Sequence, residues 1–285
     1  MKPPSLRVLV DEIADSDALD GLADAIAPLA RRLSEPTQLK NALSGLWMGH
    51  RLHPLLTDVP IGTWTSALLL DLVGGRSAHK AADRLITIGI LSSLPTAASG
   101  MADWNDTYGG PRRVGTVHAL ANSAALLLQI QSRRARRKGR RLEGKVISLV
   151  AMGALGVGGY LGGHLSYVDG VGVVHDPEAP DVPDWADAGA FDDLETERAR
   201  SAVINGGRVA VVQHEGVHAI AAVCTHAGGP LDEGRCEGGE VICPWHESRF
   251  RAADGAVVKG PATEPQPAYE TRVENGRVEI RTPRA

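Results

Sequence analysis

The sequence predicts a multidomain α + β fold, in which an N-terminal four-helix transmembrane bundle is followed by a C-terminal antiparallel all-β domain. Four apolar stretches of helical length lie between residues 59 and 163, a stretch rich in proline, aspartate and alanine follows, and short β-branched runs separated by glycine begin near Ile204. The expected parts are an N-terminal amphipathic and polar segment (1–48), the membrane domain (49–174), a linker (175–189) and the β domain (190–285).

The composition bounds the function before any motif is considered. The chain has 285 residues and a formal net charge of −4, which argues against a nucleic-acid-binding protein. Its three cysteines are too few and odd in number for a disulfide framework, so at least one thiol is expected to be free or bound to another group. The first twenty residues lack a continuous apolar core and predict no cleavable secretory signal.

The N-terminal segment contains one amphipathic stretch, LDGLADAIAPLARRL, with apolar residues at helical spacing. This spacing predicts a helix that lies on the bundle or on the membrane surface. We assign it no function.

The four apolar stretches span residues 59–75, 85–101, 117–131 and 146–163. Each is at or just below the roughly 17 to 25 residues that cross a bilayer as a helix. Only the second and fourth lack charged or strongly polar residues, so a soluble helical bundle is an alternative.

The charges of the connecting loops favour a membrane protein. The loop RRARRKGRRLEGK, before the fourth stretch, carries eight basic residues against one acidic, and the loop between the first two stretches is also mildly basic. Basic loops are typical of the cytoplasmic side. Because these two loops fall on the same side, both termini and the β domain are expected on the non-cytoplasmic face of a multi-pass protein of the bacterial cytoplasmic membrane.

The motif GHRLHPLLTDVPIG opens this region and GGHLSYVDGVGV closes it. Over roughly residues 49 to 174 the sequence resembles a bacterial family of small four-helix membrane domains of unassigned function. The resemblance implies a topology and no chemistry. In the last stretch, Gly158 with Gly162 and Gly159 with Gly163 are four residues apart, which allows close helix contact; a flexible glycine tract is the alternative.

Four spans would place several functional side chains at one end of the bundle, because alternate spans begin and end at the same face. These are His50, His53, Asp103, Trp104, His118 and His164. Among them His118, His164 and His53 form a possible second site, which would ligate a haem or a metal or hydrogen-bond a quinone. The alternative is a set of interfacial histidines bonded to neighbouring backbone or to Asn122.

All three cysteines lie in the window CTHAGGPLDEGRCEGGEVICPWHESRF, residues 224–250. Cys224 and His226 are separated by one residue, sixteen residues follow, and Cys243 and His246 are separated by two. Zinc fingers group their cysteines and their histidines by type, so this alternation fits zinc poorly. A cluster of two irons fits better, because two thiolates can hold one iron and two imidazoles the other.

This pattern resembles the Rieske [2Fe-2S] domain, in its ferredoxin-like and oxygenase-associated form, over about residues 190–285. The resemblance implies that Cys224 and Cys243 ligate an inner iron and that His226 and His246 ligate an outer, more exposed one. It also implies that the stretch GAVVKGPATEPQP, with Gly260 and Pro261, covers the cluster and limits solvent access. No catalytic residue is recognised.

Several positions depart from the family pattern. High-potential relatives join the two ligand loops by a disulfide, but the corresponding positions here are Gly228 or Gly229 and Trp245, so no bridge is expected. The third cysteine, Cys236, is expected to be a free thiol on the connecting loop.

Two positions after the second histidine bear on the cluster's potential. Glu247 replaces the glycine usual in the family, and its negative charge would favour the oxidised cluster and lower the reduction potential. It leaves the local turn geometry open. Ser248 would donate a hydrogen bond to a bridging sulfide, or serve only as a turn serine.

Together these features predict a membrane-anchored protein that transfers single electrons through a [2Fe-2S] cluster, as a carrier or as a subunit of a redox system. The expected partners are a redox protein or the quinone pool, with membrane lipid and no nucleic acid; haem or quinone would be a further cofactor. The alternative is a redox-sensing or interaction module whose cluster state regulates the membrane domain. The sequence shows no mononuclear-iron triad and no flavin or nicotinamide motif, which argues against a self-contained oxygenase and leaves open whether the protein is an enzyme.

Overall fold

The computed structural model describes residues 6–175 and 179–284, and residues 1–5 of the predicted N-terminal segment and 176–178 of the predicted linker lie outside these ranges. The chain forms two compact units. The first runs to Glu35 and resumes from Leu52 to Val171. The second contains Pro36–Arg51 together with the residues from Gly172 onward. Residues 36–51 therefore fold with the C-terminal part of the chain, although four long helices separate them from it in sequence.

Helices account for the regular structure of the first unit in the described residues, and one α-helix, α3, belongs to the second together with short 3-10 turns. The helices are α1 (Leu6–Ala14), α2 (Asp20–Ser34), α3 (Thr37–Ser44), α4 (Leu52–Val73), α5 (His79–Trp104), α6 (Gly109–Arg137) and α7 (Arg141–Tyr167). The predicted amphipathic stretch is α2, and the four apolar stretches lie in α4 to α7, so the predicted helical bundle is confirmed. The short loops between these helices make α4 and α5, and α6 and α7, antiparallel packed neighbours.

Helix α4 tolerates a proline in its interior because a neighbouring helix supplies the missing hydrogen bond. Pro60 has no N–H to donate to the carbonyl of Leu56, four residues earlier. The hydroxyl of Thr96, on α5, donates to that carbonyl at 3.1 Å. This substitution of a side chain for a lost backbone donor is typical of helices that are packed in membranes.

Small residues bring the paired helices close together. On α5, a Cβ at Gly89 would lie 2.2 Å from Nε1 of Trp64, which donates a hydrogen bond to the Ile86 carbonyl. On α7, a Cβ at Gly158 would lie 2.6 Å from Asn122 of α6, whereas Gly159 has nothing within 4 Å. Of the two glycine pairs in the sequence, the one that begins at Gly158 therefore faces the neighbouring helix.

Two helices of the described residues, α5 and α7, are long and apolar enough to cross a membrane by length and composition. Their mean hydropathies over the most apolar stretch are 1.4 and 1.6. Large apolar side chains also cover the outside of the bundle on its four long helices. Examples are Leu69, Leu72, Leu91, Leu94, Leu149 and Val150.

An ion cluster lies among α4, α5, α6 and α7. The carboxylate of Asp71 is buried and is paired with the buried guanidinium of Arg136, whose Nη1 donates to Oδ1 at 3.0 Å. Arg141 pairs with Asp83 at 3.2 Å, and Lys145 lies 3.9 Å from Asp71. The buried charges of Asp71 and Arg136 persist because they are paired, and the partly exposed charges around them join the other helices to this pair.

The second unit is built around two antiparallel sheets. The strands are β1 (Ala186–Ala190), β2 (Arg200–Ile204), β3 (Gly207–Gln213), β4 (Val217–Ala221), β5 (Arg235–Glu237), β6 (Glu240–Ile242), β7 (Arg249–Arg251), β8 (Val257–Lys259), β9 (Ala268–Glu274) and β10 (Arg277–Arg281). The first sheet has the order β1-β10-β9-β4-β3-β2 and the second the order β5-β6-β7-β8. All pairs of these strands are antiparallel, which confirms the predicted all-β C-terminal domain.

Strand β3 is buried on both faces and separates two hydrophobic cores. Val209 and Val211 point into one core, which contains Ile280, while Ala210 and Val212 point into the other, which contains both Cys224 and Cys243. Successive side chains of a strand point to opposite faces, so this run of small and β-branched residues fits a central strand. The loops that carry the candidate ligands therefore rest on a packed core.

Candidate metal centre

Two turns of the same design hold the candidate ligands. One follows β4, where the N–H of Gly228 donates to the carbonyl of Cys224 at 2.8 Å and the N–H of Cys224 donates to the carbonyl of Gly229 at 2.9 Å. The other joins β6 to β7, where the N–H of Glu247 donates to the carbonyl of Cys243 at 3.1 Å and the N–H of Cys243 donates back to the carbonyl of Ser248 at 2.9 Å. Each turn thus begins at a cysteine and closes four and five residues later.

The equivalence of the two turns extends to backbone conformation. Gly228 has a φ of +76° and Glu247, at the same place in the second turn, has a φ of +57°. Both lie in the left-handed region, which glycine adopts freely and other residues adopt at a cost. The turn geometry that the sequence left open is therefore the one that a glycine would adopt, with glutamate held in it.

The two turns bring the thiols together in the core. Cys224 and Cys243 are both buried and neither forms a disulfide. The two sulfurs share a hydrogen bond, which lowers the pKa of Cys243 and, together with burial, raises the pKa of Cys224. Backbone N–H groups of His226 and Ala227 bond the first sulfur, and those of Trp245 and His246 bond the second. These are donors of the kind that stabilise metal thiolates.

The two imidazoles meet at the rim of the same site. The rings of His226 and His246 are 4.7 Å apart between centroids and are perpendicular. Nδ1 of His226 is buried and has no hydrogen-bond partner in the described structure. Burial, reinforced by the charge of Arg51, holds the pKa of His226 well below its ordinary value, which keeps the ring neutral as a metal ligand must be.

These four residues fit a two-iron cluster. Among the described residues, no three His, Cys, Asp or Glu side chains converge on one metal position. A buried pair of thiols and an adjacent pair of imidazoles, one with an orphaned buried nitrogen, is instead the donor set that two irons bridged by sulfide require.

The surrounding residues close the site. A Cβ at Gly229 would lie 2.7 Å from Sγ of Cys243 and 3.2 Å from the Trp245 ring, so only glycine fits between the loops. Ser248 is fully buried, and its Oγ accepts a hydrogen bond from the N–H of Ala262 at 3.0 Å. Ser248 thereby joins the second ligand turn to the loop that follows Gly260 and Pro261, and its hydroxyl proton remains available for a second bond.

Cys236 has a different setting from the one that the sequence predicts. It lies on strand β5, where it pairs with Val241 across the sheet, and it is buried in the core that supports the ligand turns. Burial raises the pKa of its thiol to about 11. The thiol is free, but it is part of the packing and not of an open connecting loop.

The structure brings together two of the three histidines predicted in the helical unit. The rings of His53 and His118 are 6.2 Å apart, and Nδ1 of each bonds a backbone carbonyl of the adjacent helix, that of Thr96 at 2.9 Å and that of Gly158 at 2.8 Å. His164 is instead 3.6 Å from Asp169. His50 belongs to the second unit.

Sequence reasoning missed the segment 36–51 as a neighbour of this site. Asn41 bonds the loop that contains Val258 and Gly260, and Arg51 lines a small cavity with His226. No periodicity or motif in the segment signals these contacts, because the partners are more than 170 residues away along the chain.

Two family descriptions match the chain. Residues 184–270 match the Rieske [2Fe-2S] domain, and residues 49–175 match a family described as a predicted membrane protein (DUF2231). The ferredoxin component of the naphthalene 1,2-dioxygenase/salicylate 5-hydroxylase systems of Ralstonia sp is 32% identical over 98 residues, which are 34% of this chain and 94% of that protein. The ferredoxin component of the naphthalene 1,2-dioxygenase system of Pseudomonas putida is 31% identical over 97 residues, which are 34% of this chain and 93% of that protein. Among solved structures, the ferredoxin of carbazole 1,9a-dioxygenase from Nocardioides aromaticivorans IC177 is similar, with 27% identity, a TM-score of 0.34 and coverage of 35% of this chain and 98% of that one.

Proposed function

Because the chain belongs to the Rieske [2Fe-2S] family through its C-terminal domain, we propose that it is a membrane-anchored carrier of single electrons. The domain binds a [2Fe-2S] cluster, which supplies one reversible oxidation and reduction. We assign the cluster to Cys224, His226, Cys243 and His246. The observation that carries this assignment is the pair of equivalent turns that places two buried thiols and two adjacent imidazoles at one site.

The residues of the site have different roles. The cysteines, bonded by backbone N–H groups and buried in the core, would hold the inner iron, and the histidines at the rim would hold the outer iron. Trp245 is 53% exposed, and its ring lies 6.4 Å from that of His246. An exposed aromatic ring beside a ligand offers a contact surface for a redox protein. The dioxygenase ferredoxin components to which the domain is similar support a protein partner of this kind.

The helical unit would anchor the carrier in the bacterial cytoplasmic membrane. This part of the proposal is supported by the apolar helices α5 and α7, the apolar side chains on the outside of the bundle and the match to a membrane-protein family. The basic residues of the stretch 133–145, at the end of α6 and the start of α7, favour the cytoplasmic side for that end of the helices. Four spans, a C-terminal domain on the non-cytoplasmic face and lipid as a partner follow from this orientation.

His53 and His118 favour a second candidate role within the bundle, as a site for a haem or a quinone that exchanges electrons with the cluster. Each ring donates through Nδ1 to a helix carbonyl, which fixes its orientation. The amide nitrogen of Asn122 lies 3.3 Å from Nε2 of His118, so a ligand at that nitrogen would have to displace this contact. Gly100 and Gly162 make room for the rings, since a Cβ at either position would lie within 3 Å of an imidazole carbon. His164, which pairs with Asp169, has no part in this narrower site.

The test is spectroscopy of the full chain extracted in detergent. We expect iron and acid-labile sulfide in equal amounts, a Rieske EPR signal on reduction by dithionite, and full recovery of the oxidised spectrum in air. Cys243→Ser should abolish the signal, whereas the matched control Cys236→Ser should retain it. Loss of the cluster in the first redox cycle would favour the redox-sensing alternative, and the absence of iron and sulfide from iron-replete wild-type protein would refute the proposal.

The same spectra test the second role. A haem would add a Soret band that His118→Leu removes without loss of the Rieske signal. Without a Soret band, the quinone role is tested by reducing the cluster with a short-chain quinol. If wild type and His118→Leu are then reduced at the same rate, the second role is wrong.

A further inference from the structure

The segment Pro36–Arg51 is a compact element of the second unit. Helix α3 ends at Gly45, which has a φ of +83°, and the following 3-10 turn, Leu46–Met48, ends at Gly49, which has a φ of +79°. Both glycines adopt the left-handed conformation that reverses the chain at a helix end. The segment therefore folds back on itself and stays against the β domain.

Asn41 fastens this segment to the loop that covers the candidate cluster. Its Nδ2 donates to the carbonyl of Val258 at 2.9 Å, and its Oδ1 accepts from the N–H of Gly260, also at 2.9 Å. One side-chain amide thus bonds the carbonyl before residue 259 and the N–H after it. A neighbouring β-strand would bond the same two backbone groups. Ser44 is fully buried, and its side chain lies 3.6 Å from the point that a Cβ would occupy at Gly260.

The same segment closes the His226 side of the site. Arg51 is 7% exposed and lines a cavity of about 10 Å³ together with His226, Pro261 and Gly172. This volume holds about one water molecule. The Cγ atom of Arg51 lies 3.1 Å from the point that a Cβ would occupy at Gly172, so the arginine side chain fills the space beside that glycine. Lys40, 2% exposed, is buried in the same segment.

We infer that residues 36–51 form the second half of the cluster cover and that Asn41 is the positioning residue that keeps the cover closed. The inference rests on the proposed function, since the covered group is the [2Fe-2S] cluster. The loop after β8 covers the ligands from one side, and Asn41 fixes the start of that loop through one backbone hydrogen bond to Val258, on β8, and one to Gly260, the first residue of the loop. Water and chelators reach the outer iron more slowly when both parts stay in place, which lengthens the life of the cluster.

The test compares three variants in the full chain: Asn41→Leu, which removes both hydrogen bonds at similar volume; Asn41→Asp, which keeps the acceptor for Gly260; and Gln38→Ala, an exposed control on the same helix. Two rates are measured, namely amide hydrogen exchange of residues 256–264 and cluster loss to a strong iron chelator, followed by visible absorbance. We expect Asn41→Leu to raise both about tenfold, equivalent to about 1.4 kcal/mol. Asn41→Asp should be intermediate, and Gln38→Ala should match wild type.

The outcomes separate this inference from the proposed function. If amide exchange at residues 256–264 is unchanged in Asn41→Leu, Asn41 does not hold the loop, whether or not iron is bound. If amide exchange becomes faster but the cluster is lost at an unchanged rate, residues 36–51 do not protect the cluster. A general rise in exchange over the whole β domain would show a structural role only and would also overturn the inference. Absence of the cluster from wild type would refute the proposed function, while the exchange measurement would still decide whether Asn41 holds the loop.

Discussion

Glu247 occupies a position built for glycine, and its replacement should make the domain more stable. Its φ of +57° matches that of Gly228 in the equivalent turn. The left-handed conformation costs an L-residue about 1–2 kcal/mol. Its side chain is 66% exposed and lies 4.0 Å from an exposed guanidinium, that of Arg235, so the ion pair contributes little. Because glycine loses about 0.5–1 kcal/mol more backbone entropy on folding, Glu247→Gly should gain roughly 0.5–1 kcal/mol.

This gain is measurable by thermal unfolding of the full chain, followed by the visible circular dichroism of the cluster. For a domain of this size it corresponds to a rise of about 2–8 °C in Tm. The reduction potential should rise as well, because the reduced cluster carries one more negative charge and the carboxylate beside His246 is removed.

Two variants separate the backbone effect from the charge effect. Glu247→Gln keeps the side chain and its φ, so it should raise the potential without raising Tm. Glu215→Gly, at an exposed hairpin residue with a φ of +49°, should raise Tm without changing the potential. If Glu247→Gly fails to raise Tm while Glu215→Gly succeeds, the strain argument at the ligand turn is wrong. An unchanged potential in Glu247→Gln would refute the charge argument.

Three further variants test the packing. Asp71→Ala removes the nearest carboxylate from buried Arg136, which keeps only the longer contact to Asp83 at 3.5 Å, and should destabilise the helical unit by about 3 kcal/mol in detergent denaturation, while exposed Asp58→Ala should change the stability by less than about 0.5 kcal/mol. Ser248→Ala leaves the cover-loop amide without its acceptor and should cost about 1–3 kcal/mol, measured by urea unfolding of the β domain. Gly229→Ala drives a methyl group to 2.7 Å from the sulfur of Cys243, a proposed ligand, and should lose most of its iron, measured by metal analysis, whereas Gly153→Ala, with nothing within 4 Å, should retain it.

The fold could be predicted from the sequence where local patterns are strong. The four apolar stretches correspond to α4 to α7 because a helix of this kind needs only local length and hydrophobicity, and the spacing of the cysteines and histidines indicated a two-iron donor set because each pair is close in sequence. Cys236 shows that local patterns do not predict tertiary burial. Its place between the ligand pairs indicates a loop, and only its pairing with Val241 across the sheet, a tertiary contact, buries it. The histidines of the bundle show the same limit, since helix rotation decides that His53 and His118 meet while His164 pairs elsewhere.

The iron–sulfur domain of this chain includes the segment 36–51, which folds with the residues from Gly172 onward. The family match at residues 184–270 does not include it, yet Asn41 bonds residues more than 200 positions further along. A helix that precedes the four long helices in sequence is thus expected to act on a cluster held after them. A gene fragment that begins after the helical bundle would keep all four proposed ligands and lose Lys40, Asn41 and Arg51. Its cluster should form and then be lost faster than that of the full chain, because the ligand turns are local whereas half of the cover comes from the other end of the sequence.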